Sequence, residues 1–139
     1  MKFELKFERF YPYPVVQVWG GLTSNEALGE WLMDTTGFKA EVGQQFEMTC
    51  ADRDGQRDVY RCRVIEIDAP FGMRWSWVLV GREQDGTTEV EFRLEAAGDG
   101  TVVTVFHRGG AGKSFVDDFK SGWPGKLDAL QYAIPRRRD

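Results

Sequence analysis

Apolar and polar residues alternate from the start of the chain. Phe3, Leu5 and Phe7 are separated by Glu4, Lys6 and Glu8, which is the period of a half-buried strand. Tyr11-Pro12-Tyr13-Pro14 stops that run, and Pro14 suits the first turn of a helix. Val15, Val18, Trp19 and Leu22 then recur at helical spacing, so a short helix is predicted, weakened at its end by Gly20-Gly21. Thr23-Ser24-Asn25-Glu26 reads as a capping box with Thr23 as N-cap and Glu26 three residues on. It opens a second short helix that ends near Trp31 or Met33.

From Gly37 the pattern changes to strands. A short one is predicted over Phe38 to Val42, with a turn at Gly43. Phe46, Met48 and Cys50 alternate with Gln45, Glu47 and Thr49. Asp52-Arg53-Asp54-Gly55 has the chemistry of a turn. Val59 to Ile67 forms the next strand, closed by Asp68-Ala69-Pro70. Met73, Trp75, Trp77 and Leu79 share one face of another, which turns at Gln84-Asp85-Gly86. Thr88, Val90, Phe92 and Leu94 alternate with acidic and basic residues. Asp99-Gly100 signals a hairpin into a last strand over Thr101 to Arg108.

Helical spacing returns after a glycine-rich segment. Phe115, Phe119, Trp123, Leu127 and Leu130 fall on one stripe, with Asp117, Asp118, Lys120 and Asp128 largely off it. This predicts an amphipathic helix of about twenty residues, kinked at Pro124, where a proline removes a hydrogen bond and crowds the preceding turn. The expected fold class is α+β: an antiparallel sheet with one apolar face, covered by the long C-terminal helix, whose stripe must be buried. No linker or repeat divides the chain, so one domain over residues 1–139 is expected.

Composition narrows the function classes. Five Trp and ten Phe in 139 residues imply a bulky core or an aromatic-lined cavity. A formal net charge of -4 gives no footprint for nucleic acid, which needs clustered Lys and Arg; the basic run Arg136-Arg137-Arg138 reads as a solvated tail. The N-terminus has no apolar h-region and no stretch is long enough to span a membrane. A cytoplasmic location is therefore expected, with Cys50 and Cys62 as reduced thiols rather than a bridge. With a single His, a Cys/His zinc site is not expected, and no cofactor is implied.

Two features invite chemistry. His107 is the one imidazole, readable as a general base, a ligand anchor or a hydrogen-bonded structural residue. His107-Arg108-Gly109-Gly110-Ala111-Gly112-Lys113-Ser114 ends like a P-loop, but His107 stands where that pattern needs glycine and the strands before it are antiparallel; a loop at the mouth of the helix is expected instead. Asp117 and Asp118 are adjacent, so they point some 100° apart on a helix and share no site.

Several stretches together carry a family likeness: Pro14 to Trp19 entering the first helix, Thr23 to Trp31, Gly43-Gln44-Gln45-Phe46, Val64 to Pro70 with Trp75-Ser76-Trp77, Gly100 to His107, and Gly122-Trp123-Pro124. From about Tyr11 to Ile134 the chain resembles the START-like (SRPBCC) superfamily, which also holds Bet v 1-type allergens and polyketide cyclases. Within it the chain is most similar to bacterial homologues of the activator of heat-shock protein 90 ATPase, without the additional N-terminal domain of the eukaryotic activator. The resemblance implies a helix-grip fold, a curved sheet wrapped around the C-terminal helix with two short helices after the first strand. It also implies a cavity between helix and sheet.

These are motifs of a scaffold, and a scaffold does not set function. Trp31, Met48, Trp75, Trp77, Phe92, Leu94, Phe119 and Trp123, with His107, are expected either to line a cavity for a hydrophobic or amphipathic small molecule or to pack on one another. A chaperone-directed protein-interaction module is the alternative that the resemblance implies, and a polyketide cyclase-like enzyme is a further one. No catalytic constellation is apparent, and the pattern does not speak to oligomeric state.

Overall fold

A computed structural model describes residues 2–51, 55–83 and 86–135. The expected turns at Asp52 to Gly55 and at Gln84 to Gly86 lie partly outside those residues, and the basic run at 136–138 lies wholly outside them. The alternating N-terminal run is strand β1 (Lys2–Tyr11), followed by helices α1 (Val15–Leu22) and α2 (Asn25–Trp31). Strands β2 (Asp34–Thr36), β3 (Gln45–Ala51), β4 (Arg57–Asp68), β5 (Gly72–Leu79), β6 (Gly86–Ala97) and β7 (Gly100–Ala111) come next, and helix α3 (Lys113–Ala133) closes the chain. The strands form one curved antiparallel sheet in the order β1-β7-β6-β5-β4-β3-β2. A register shift between Val64 and Glu66 in β4 adds the local bend that a bulge brings. This is the helix-grip architecture.

The period-2 pattern explains which face is covered. Met73, Trp75, Trp77 and Leu79 of β5 are buried, as are Val90, Phe92 and Leu94 of β6 and Val103 and Val105 of β7, while the residues between them are not. α3 lies against that face through Val116, Trp123, Leu127 and Leu130. Its register is pinned near the C-terminal end by the Tyr11 hydroxyl, which donates to the Leu127 carbonyl oxygen at 2.6 Å, and by an Arg9–Asp128 ion pair. Gly21 of α1 permits close approach there, since a Cβ would stand 3.1 Å from Leu130 and 3.2 Å from Ile134.

Four local expectations change. The N-cap of α2 is Ser24, whose Oγ accepts from the Ala27 N–H at 3.0 Å; the Thr23 hydroxyl instead donates back to the Trp19 carbonyl at 2.8 Å. No strand forms over Phe38 to Val42. The Asn25 side chain accepts from the Phe38 N–H at 2.9 Å and donates to its carbonyl at 3.3 Å, so Phe38 spends its backbone groups on a side chain, and the short strand sits earlier, at Asp34–Thr36. The hairpin between β6 and β7 turns on Gly98-Asp99, one residue before the expected pair, with Gly98 at φ 59°. α3 itself runs as one helix through Pro124, as the stripe predicts. The bond lost to proline would have ended on the carbonyl of Lys120, an exposed residue. Asp117 and Asp118 stand in its second turn, beyond the first turn where the dipole is strongest.

The fourth concerns the glycine-rich segment, which is strand and not loop. Gly109 and Gly110 pair with Phe3 and Lys2 on one side and with Thr88 and Thr87 on the other. Gly109 adopts φ 141°, and a Cβ there would stand 2.8 Å from the Thr87 carbonyl oxygen and 2.9 Å from the Thr88 Cα. Both the backbone conformation and the space therefore demand glycine. Gly109→Ala is expected to cost about 2 kcal/mol or more, read as a lower denaturation midpoint at an unchanged m-value. An unchanged midpoint would contradict this tight β6–β7 approach.

Candidate functional site

The helix stripe decides where the interface between α3 and the sheet fills and where it does not. Phe115 and Phe119 stack at 6.3 Å between ring centroids. Trp77 of β5 meets Phe119 at 6.3 Å and Trp123 at 6.1 Å. Gly122 lies on the same side of the helix with no side chain to offer; a Cβ built there would approach only Lys126 Cε, at 4.0 Å. The gap it leaves is part of a pocket of about 160 Å³. The walls are Trp77, Phe115, Phe119 and Trp123, with Met33, Cys50 and Tyr60 from the sheet side and Gly122, Asp118 and Lys126 from the helix. Larger depressions exist elsewhere. One of about 270 Å³ is lined by Gln45, Arg61, Arg63, Ser76 and Glu83, and it lacks an aromatic wall.

The polar groups around this pocket are few and unequal. Trp31 donates its indole N–H to the Gly21 carbonyl at 2.8 Å, and Trp123 donates to His107 Nδ1 at 3.0 Å. The indole N–H groups of Trp75 and Trp77 are buried and have no partner. A buried donor without an acceptor costs about 1–3 kcal/mol, and one of the two belongs to a pocket wall. Lys126 is half-buried and donates to the Leu32 carbonyl at the end of α2, at 3.0 Å. Burial lowers its pKa from the ordinary lysine value.

His107 does not line this pocket. It is fully buried at the centre of a directed chain of hydrogen bonds. An indole N–H can only donate, so His107 Nδ1 must accept. The neutral ring then carries its proton on Nε2, which lies 2.9 Å from Thr88 Oγ1, and the Thr88 hydroxyl donates to the Trp77 carbonyl at 3.1 Å. Burial pushes the imidazole pKa down to about 3. With both nitrogens engaged and no solvent contact, the ring has no free lone pair for a substrate proton.

Of the residues expected from sequence, the structure brings Trp77, Phe119 and Trp123 together at the pocket. Trp31, Met48, Trp75, Phe92 and Leu94 are buried behind it, where Trp31 and Phe92 both touch Trp123. Met33, Tyr60, Phe115, Gly122 and Lys126 were not expected. A glycine set among aromatics on one helix stripe was the available signal, because only a side chain of zero size leaves a hole in such a face. Cys50 lines the pocket and Cys62 is buried; neither forms a disulfide. The register sets Cys50 opposite Asp58 and Cys62 opposite Phe46, so they are not cross-strand partners.

Residues 12–134 match the sequence model of the family described as Activator of Hsp90 ATPase homolog 1-like protein. No curated protein matches the chain. Among solved structures, protein MLL2253 from Mesorhizobium loti is similar at 23% identity and TM-score 0.83, covering 99% of this chain and 100% of its own. CalU16 from Micromonospora echinospora is similar at 23% identity and TM-score 0.77, covering 96% and 76%. DynU16, described as a protein in the dynemicin biosynthetic locus, is similar at 19% identity and TM-score 0.78, covering 93% of this chain and 46% of its own. At these identities the likeness is one of fold.

Proposed function

The chain belongs to the Activator of Hsp90 ATPase homolog 1-like family, and from that premise we propose that it binds a small molecule with an apolar, ring-sized body in the pocket between α3 and strands β3 to β5. The observation that carries this reading is the gap at Gly122 in an interface otherwise filled by aromatic rings. An apolar cavity of about 150 Å³ is large enough to take up benzene, and about 160 Å³ is of that size. Contact with Trp77, Phe119 and Trp123 supplies the apolar recognition, and Trp31, Met48, Trp75, Phe92 and Leu94 form the rigid backing. His107 acts through Trp123, holding the indole at a fixed angle. A biosynthetic-locus setting, as described for DynU16, fits a small-molecule ligand. A cytoplasmic setting belongs to the same proposal, supported by two cysteines that form no disulfide; among the described residues no helix is long and apolar enough to cross a membrane.

The test is to fill the pocket. Gly122→Leu adds a side chain where nothing nearer than 4.0 Å opposes its Cβ, and a helical glycine is replaced at a gain of up to about 1 kcal/mol. The variant should be at least as stable as the parent and should lose binding of benzamide, a neutral single-ring probe, followed by the indole N–H resonances in an NMR titration. Benzamide binding unchanged in a folded Gly122→Leu protein would defeat the proposal. The family description also supports a second reading, a chaperone-directed interaction. It predicts a rise in Hsp90 ATPase rate on adding this protein that Gly122→Leu leaves intact.

A further inference from the structure

The polar furnishing of the pocket selects among ring-sized ligands. Lys126 lies on its lining, half-buried, and contributes one N–H to the Leu32 carbonyl. An ammonium has three donors, so two remain. Among the described residues no carboxylate comes within ion-pair distance of it. The one acidic group on the lining, Asp118, is exposed, as is Asp117, which pairs instead with Lys113 at 2.9 Å. Trp77, also on the lining, has a buried indole N–H without a partner. The pocket thus combines a flat aromatic interior with two unspent donors on one cation that no ion pair neutralises. Capping the end of α2 explains why a lysine stands at position 126, but it leaves the cation partly desolvated and without a counter-ion.

We propose that the ligand class is a monocarboxylate carried on a single ring or a body of similar size, with the carboxylate on Lys126 Nζ and the ring between Trp77, Phe119 and Trp123. This rests on the pocket being a ligand site, and it adds the charge of the ligand. A carboxylate meeting an ammonium forms a charge-assisted hydrogen bond, stronger than its neutral counterpart. Asp118 opposes the anion from the solvent side, where screening weakens it.

Benzoate and benzamide have the same size and shape and differ in charge, so the pair isolates the carboxylate. Titrations of the full chain, followed by the indole N–H resonances of Trp77 and Trp123, should give benzoate about tenfold tighter binding than benzamide. Lys126→Met should abolish that preference and leave the benzamide affinity within about threefold, whereas Lys126→Arg, which keeps the charge, should retain a preference for benzoate. Asp118→Asn should tighten benzoate alone. Equal affinities for the two probes in the parent protein would overturn the carboxylate assignment and leave the pocket reading standing. Absence of binding by either probe at millimolar concentration would overturn both. A benzoate preference that survives Lys126→Met would place the anion on another group and reject Lys126 as its partner.

Discussion

Trp75→Ala is expected to remove about 3–5 kcal/mol of stability, the range for truncating a packed aromatic. That is a large part of the 5–15 kcal/mol that separates most folded domains from their unfolded chains. Trp75 is fully buried, and its ring lies 5.0 Å from Phe46, 5.0 Å from Phe92 and 5.7 Å from Phe38 by centroids. Those three come from β3, β6 and the segment after β2, so one side chain ties the middle of the sheet to the irregular stretch that precedes β3. The orphaned indole N–H sharpens the test. Phenylalanine keeps most of the apolar contact and discards the unpaired donor, so Trp75→Phe should cost much less than Trp75→Ala, about 1–2 kcal/mol. Denaturant melts of the three proteins decide it. Similar losses for Phe and Ala would mean that the indole N–H has an acceptor and that Trp75 is held by that bond as well as by packing.

The same side chain shows what pattern alone conveys. Strict alternation around Trp75 and Trp77, and around Val90, Phe92 and Leu94, was enough to assign these positions to one buried face, because a one-residue slip would invert every side chain. The stripe of Phe115, Phe119, Trp123, Leu127 and Leu130 likewise marked the face of α3 that the sheet covers. Packing against the sheet, not periodicity, then decided how the stripe divides: its second half is sealed, while Phe115 and Phe119 are left half-buried beside the pocket. The capping residue of α2 and the conformation of Phe38 were hidden for a different reason. Both depend on which side chain wins a backbone group: Thr23 could cap forwards or bond backwards, and Asn25 reaches 13 residues ahead to Phe38. Lys126 was hidden as well, since its role is set by α2 ending at its tip, a meeting of two elements that no local spacing encodes.

His107 should make the protein acid-labile well above the pH at which carboxylates titrate. Its unfolded pKa is about 6.5, and burial places the folded value at about 3. Below pH 6.5 the unfolded chain takes up a proton that the folded protein refuses, so the unfolded state binds more protons and stability falls with falling pH. Above pH 6.5 neither state is protonated and the contribution is complete. The loss approaches about 1.4 kcal/mol per pH unit and totals on the order of 4 kcal/mol by the time the folded value is reached. The structural cause is the direction of the hydrogen-bond chain. Protonating Nδ1 sets two donors face to face across the 3.0 Å contact between Trp123 and His107, with no nearby carboxylate hydrogen-bonded to the ring to absorb the charge. Glu91 also contributes acid sensitivity. Burial would raise its carboxyl, but hydrogen bonds from Arg93 and Arg108 outweigh this and hold it below the usual value. That loss begins only as pH falls below about 4.5, near the ordinary glutamate value. The interval from pH 6.5 to 5 therefore isolates His107. The parent should lose about 2 kcal/mol across it by denaturant melts. His107→Gln, which offers an acceptor and a donor without a titrating proton, should be less stable at pH 7 yet nearly flat over the same interval. Equal slopes in the two proteins would show that the imidazole is not the acid-sensitive group, and with it that the Trp123–His107–Thr88 chain does not hold the ring neutral.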